Sequence, residues 1–131
     1  MSITLNGTTG IISPKVNTLD LELDSKNVVE RGSNANGEYV RFADGTQICT
    51  QQSPLQSVAV GAVAGFTFIN SAAFVGVPRS FFTRTSDLSA LDLRDGMENH
   101  SINGATVFVY NTGPAGTRQV VVFYLAIGRW Y

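Results

Sequence analysis

Residues 105–131, ATVFVYNTGPAGTRQVVVFYLAIGRWY, decide the fold. They read as a strand, a turn rich in glycine with one proline, and a second strand. Successive side chains of a strand point to opposite faces. In the second strand Val120, Val122, Tyr124 and Ala126 therefore share one face, and Val121, Phe123, Leu125 and Ile127 share the other. Both faces are apolar. An antiparallel sheet usually packs one face on a core and wets the other. The second face here needs its own cover, either another sheet or a neighbouring subunit. Val107, Phe108, Val109 and Tyr110 have the same two-faced character.

Working back from this end, residues 36–51, NGEYVRFADGTQICTQ, read as a complete hairpin. A two-residue loop at Asp44 and Gly45 would mix apolar and polar residues on each face. A three-residue loop of Ala43, Asp44 and Gly45 pairs Phe42 with Thr46 and Val40 with Ile48, and puts Gly45 in the left-handed position of a bulged turn. Val40, Phe42 and Ile48 then share a face. A slip of one residue would flip every side chain, so the three-residue loop is the reading adopted. Asp44 is a turn residue in this register.

Between these two regions, LQSVAVGAVAGFTFIN at 55–70 alternates at Val58, Val60, Phe66 and Phe68, with small residues that suit close packing. FVGVPRSFFTRT at 74–85 is a strand pair or a strand broken at Pro78, which has no N–H for a ladder. SDLSALDLRDGMENHSING at 86–104 is the most polar stretch and reads as a long loop, with room for a single helical turn; long loops on β scaffolds often carry function.

Ahead of the hairpin, GSNANG at 32–37 reads as a flexible joint. It divides an N-terminal attachment or oligomerisation arm, 1–31, from a compact β-domain, 32–131. Within the arm, Ile3 and Leu5 alternate before the turn pair Asn6 and Gly7. In 15–31, Leu19, Leu21 and Leu23 alternate with acids as in a strand. Val16, Leu19 and Leu23 also fit the seam of a short trimeric coil. The alternation favours extended structure, and both readings stand.

Composition narrows the function. The chain has 131 residues, which suits one domain able to bury a core. Charged residues make up 15% and the net charge is −1. That balance lacks the basic face nucleic acid requires and gives no reason to expect an anionic membrane surface. The single cysteine, Cys49, excludes an internal disulfide and reads as a small buried hydrophobe. No secretory signal and no apolar run approaching ~18 residues is visible, so no membrane insertion is expected.

Residue types that do chemistry are sparse. Asp92, Asp95 and Glu98 lack the oxygen-rich spacing of a calcium loop and read as solvated charges, so no metal and no cofactor is expected. His100, the only histidine, has no positioned nucleophile beside it. A glycosidase would need two of the carboxylates of Asp92, Asp95 and Glu98 on either side of one bond, and nothing in the spacing places them so. No phosphate-cradling glycine loop follows a strand; Gly113 and Gly116 flank a hairpin turn. No catalytic residue is assigned, and the chain reads as a non-enzyme. Sugar recognition asks for something else: polar side chains for hydroxyls and a ring for the apolar face of the sugar. Asp92, Arg94, Asp95, Asn99, His100 and Asn103 supply the first, and Trp130 with Tyr131 the second.

NGEYVRFADGTQIC resembles the segment NG-x-Y-[VI]-R-F-x-DG-x-Q-I-C that opens many phage tail-fibre and related tail-protein C-terminal domains. YLAIGRWY is similar to their usual ending. ITLNGTTGI resembles openings of short phage virion proteins, and FTFINSAAFVGVPRSFF resembles the F…F…P layout of the H-type lectin and tail-fibre tip group. The resemblance implies an all-β protein, a small antiparallel β-sandwich with an extended N-terminal arm, trimeric, with a receptor-binding face and no catalytic residues. The expected protein is a virion component assembled in the host cytoplasm, a short fibre, head fibre or tail-fibre tip. It would join other virion proteins through its arm and bind a host-surface glycan through Asp92, Arg94, Asp95, Asn99, His100, Asn103 and Trp130. Weak sites repeated on a homotrimer would gain avidity. The alternative is a capsid or tail decoration or connector protein with no receptor.

Overall fold

The computed structural model of the chain describes residues 5–6, 8–9, 27–87, 93–114 and 116–131. Every regular element among them is a strand. Two-residue strands β1 (Leu5–Asn6) and β2 (Thr8–Thr9) pair with each other. The rest of the arm up to residue 26, including the helical or extended choice over 15–26, lies outside the described residues.

The remaining strands form two antiparallel sheets that face each other. The large one holds β3 (Val28–Asn34), β4 (Gly37–Phe42), β5 (Thr46–Gln52), β6 (Gln56–Val58), β8 (Arg79–Ser86) and β11 (Arg118–Arg129). The small one is ordered β7 (Val63–Ile69), β10 (Gly104–Asn111), β9 (Leu93–Glu98). The expected all-β sandwich is the observed architecture.

β11 is the spine of the large sheet. One edge pairs with β8. The other pairs first with β6 and then with β5. β5 and β6 are separated by Pro54, which has no donor. Ser53 carries the ladder over the gap: its N–H donates to the Val122 carbonyl at 2.9 Å and its hydroxyl accepts from the Val122 N–H at 2.9 Å. The β4–β5 register is the expected one. Val40 lies opposite Ile48, and Gly45 has φ +93° in a loop closed by its N–H on the Phe42 carbonyl at 3.0 Å.

The core lies between the sheets. From the large sheet come Val120, Val122, Tyr124, Ala126 and Cys49; from the small one, Ala64, Phe66, Phe68, Ala105, Val107 and Val109. The Phe68 and Tyr124 rings stack across it with centroids 4.9 Å apart. Cys49 is buried, as read. The small sheet does not reach over the Cys49 end. Residues 70–78 close that end: Gln47 Nε2 donates to the carbonyls of Ala72 and Ala73 at 3.2 and 3.0 Å, Ser71 Oγ to Glu38 O at 2.8 Å, and the Val75 N–H to Arg129 O at 3.0 Å. β8 starts immediately after Pro78 and residues 74–78 form no strand, so 74–85 is neither a strand pair nor a strand on both sides of the proline, but an irregular segment leading into one strand.

Three expectations need correction. First, residues 105–131 are not a hairpin. β10 and β11 lie in different sheets, and the turn containing Gly113 and Gly116 arches across the sandwich. Two strands apolar on both faces gain more by packing inner face on inner face than by lying side by side. Asn111 pins the arch: its Nδ2 donates to Val58 O at 2.9 Å and Gly116 O at 3.0 Å, and its Oδ1 accepts from the Gly113 N–H at 3.1 Å. Second, the polar stretch 86–104 contains β9 rather than one long loop. Leu93 and Met97 point inward from it, and the intervening inward position is Asp95, ion-paired with Arg84 of β8. Third, residues 32–37 are the end of β3 and a tight turn into β4, not a joint. The N–H of Asn36 is held by the Asn34 side chain at 2.8 Å, and Gly37 has φ +105°. The sheet therefore begins at Val28, ahead of the boundary drawn at residue 32.

Candidate binding surfaces

The residues assigned to sugar recognition do not form one cluster. Asp92 lies outside the described residues. Arg94 and Asp95 are consecutive on β9 and so point to opposite faces: Asp95 inward to Arg84, Arg94 outward opposite Tyr110. Asn99, His100 and Asn103 sit together in the β9–β10 turn. Asn99 takes φ +53°, and the Asn103 N–H donates to Ser101 Oγ at 3.2 Å. A hollow of about 190 Å³ beside this turn is lined by Asn99, Asn103, Thr67 and Thr106. Glu98 is on the outer face of β9, so it and Asp95 cannot flank one glycosidic bond. Among the described residues no three His, Cys, Asp or Glu side chains come together as a metal cluster.

Trp130 is elsewhere, at the β4–β5 turn. Its Nε1 donates to Phe42 O at 2.9 Å, and the Arg41 guanidinium lies 5.1 Å from its ring centroid. Arg41 also lies over Tyr39 and donates to Glu30 Oε1 at 2.9 Å and Gln47 Oε1 at 2.7 Å. Glu30 accepts a further bond from the Tyr39 hydroxyl at 2.8 Å. The Tyr39 hydrogen bond, with that from Arg41, holds the Glu30 carboxyl below its ordinary pKa, while the same Glu30 partner raises that of Tyr39. The polar groups of this cluster largely satisfy one another. Its evident work is to fasten β3, β4 and the chain end together.

The surface that sequence reasoning left without a place is the outer face of the large sheet. Val40, Ile48 and Ile127 form one row across β4, β5 and β11. Leu125 and Phe81 are opposed in the next row, and Phe123 and Val121 follow along β11. Phe81 is 59% exposed and Phe123 39%. With Thr50 and Gln52 they border an open trough of about 580 Å³. The signal was present: Val40, Phe42 and Ile48 were expected to share a face, and that face is the outward one. Inward go Gln47 and Cys49, met by the carbonyls of 72 and 73.

No family model matches the chain, and no curated protein matches it. Solved structures do. The fold is similar to that of a pyocin tail fibre. A C-terminal segment of the P. aeruginosa R1 pyocin fibre superposes with TM-score 0.61 at 14% identity, over 92% of this chain and 32% of that one. An N-truncated R1-type pyocin tail fibre gives TM-score 0.58 at 14% identity, over 92% of this chain and 98% of that one. The chain thus spans about a third of the longer fibre structure and nearly all of the truncated one.

Proposed function

We propose that the chain is a subunit of a phage-type tail fibre, a structural component of a virion or phage-like particle without catalytic activity. It assembles as a homotrimer and presents a surface to a glycan on the host. The observation that carries the reading is the outer face of the large sheet. Its inner face is already packed on the core, yet Val40, Ile48, Leu125, Ile127, Phe81 and Phe123 make a second apolar surface on the other side. Phe81 and Phe123 are exposed and the other four are half-buried, and a contiguous apolar patch of this kind marks an interaction site. Identical copies meeting through it supply the cover the two-faced β11 requires. The likeness of fold to pyocin fibres supports a fibre setting, in which the arm joins the subunit to other virion proteins.

The test is the solution mass of the intact chain by light scattering, beside a Phe81→Asp, Leu125→Asp double variant. A trimer that falls to a folded monomer in the variant is the expected result. A wild-type monomer overturns self-assembly and favours a decoration or connector protein that takes its partners from the particle. A trimer in both locates assembly away from this face.

A further inference from the structure

The outer face of the small sheet carries an aromatic side chain between two glycines. Phe108 on β10 lies opposite Gly65 on β7 and opposite Gly96 on β9. Glycine inside a strand weakens it, and marks a bulge, a bend, or the close approach of another backbone or a ligand. Neither ladder slips at these positions, and neither glycine has a positive φ. Gly65 has a packing reason: a Cβ there would lie 3.3 Å from Cε1 of the Phe108 ring, which leans over it. Gly96 has none, since a Cβ there would meet no atom within 4 Å. An open slot is left beside the ring. Tyr110 and Thr106 border it along β10, and Arg94 and Glu98 along β9.

Thr106 Oγ1 is hydrogen-bonded to Thr67 Oγ1 at 3.3 Å, and the other polar groups around the slot are unengaged. Among the described residues the Arg94 guanidinium, the Glu98 carboxylate and the Tyr110 hydroxyl have no hydrogen-bond or ion-pair partner. The other charges discussed above differ: Arg41 is tied to Glu30, and Arg84 to Asp95. At a strand rise of ~3.3 Å, Arg94 and Glu98 stand about 13 Å apart along β9, with the slot between them.

We propose that this slot binds one ring of a neutral saccharide. The apolar face of the sugar stacks on Phe108 over Gly96, and its hydroxyls donate to Glu98 and accept from Arg94 and Tyr110. One cation and one anion at opposite ends leave no net charge to attract an acidic ligand. The inference rests on the receptor-glycan reading above and gives that reading a place. It also agrees with the outer face of the large sheet going to neighbouring copies.

The test uses the intact chain and methyl glycosides of glucose, galactose, mannose and N-acetylglucosamine, followed by amide chemical shifts. Saturable shifts centred on Gly65, Gly96 and Phe108 are expected with at least one glycoside. Gly96→Val fills the slot where the backbone tolerates a side chain. It should weaken binding about tenfold or more without lowering the thermal midpoint, and Phe108→Ala should do so too. Shifts that map elsewhere, undiminished binding by Gly96→Val, or no shift with any of the four overturn the slot. The light-scattering mass of the same samples separates the two readings. A trimer without sugar shifts removes the slot and leaves assembly standing, whereas a monomer with them does the reverse.

Discussion

The two sheets obey the same alternation, yet their outer faces differ in kind. Outward from the large sheet come Val40, Ile48, Leu125, Ile127, Phe81 and Phe123, with threonine and glutamine at the margins. Outward from the small sheet come Thr67, Thr106, Glu98 and Arg94, with Phe108 between two glycines, Tyr110 between Val63 and Arg94, and Val63 and Ile69 exposed along β7. Inside, both are mainly apolar, with Gln47 and the Arg84–Asp95 pair as polar positions held by partners. Cores constrain the inner faces alike, and what lies opposite an outer face decides its chemistry. An apolar face continuous across strands asks for protein, and a face that mixes charged and hydroxyl groups with separate apolar side chains leaves room for water or a small polar ligand.

The contrast depends on the sheets being held apart and facing, so the largest expected effect comes from breaking the arch between them. Asn111→Leu removes three hydrogen bonds at a buried position and strands the carbonyl of Val58. A loss of about 3 kcal/mol is expected, read by denaturant unfolding. Next in size is the outer face of the large sheet. Removing Phe81 or Leu125 from an interface should weaken association by about 2 kcal/mol each, seen as a concentration-dependent mass, with the unfolding of the dissociated chain little changed. Equivalent changes at Thr67 or Thr106 should leave the mass untouched.

Two glycines sharpen the comparison further. Gly45 takes φ +93°, and a Cβ there would lie 2.3 Å from Nη2 of Arg129. Gly45→Ala should cost about 1 kcal/mol or more. Gly96→Ala, in extended backbone with open space around it, should instead gain about 0.5 kcal/mol. Opposite signs in thermal unfolding are the expected result. The smallest effect concerns Glu30. Its folded pKa is depressed below 4.5, so its contribution is present above that value and fades as pH falls through the folded one. The stability difference between the protein and Glu30→Gln should therefore be largest at neutral pH and close below about pH 4.5, and high salt should shrink it.

Much of the fold was legible. The three-residue loop at Ala43, Asp44 and Gly45 followed from which residues had to share a face, and Gly45 is where a left-handed turn needs it. The two faces of β11 were plain from its alternation. β9 was not, because of its inward positions only Leu93 and Met97 are apolar, and Asp95 between them is made tolerable by Arg84 from a distant strand. Of the candidate site, Arg94 could be named as a polar residue. Its neighbours Phe108, Gly65 and Gly96 could not, because they meet only across three strands.

Local chemistry by itself determined the strands, the turns that need glycine, and the existence of two apolar faces on β11, since alternation and φ preferences act over a few residues. Tertiary structure alone decided that β10 and β11 belong to different layers, that Val40 and Ile48 face outward while Gln47 and Cys49 face in, and that the half-buried Phe108 ring leans over Gly65 with open space at Gly96. A strand pattern states which side chains share a face. Only the packing of distant elements states which of the two faces is buried, and the carbonyls of residues 72 and 73, waiting above Gln47, settled it here.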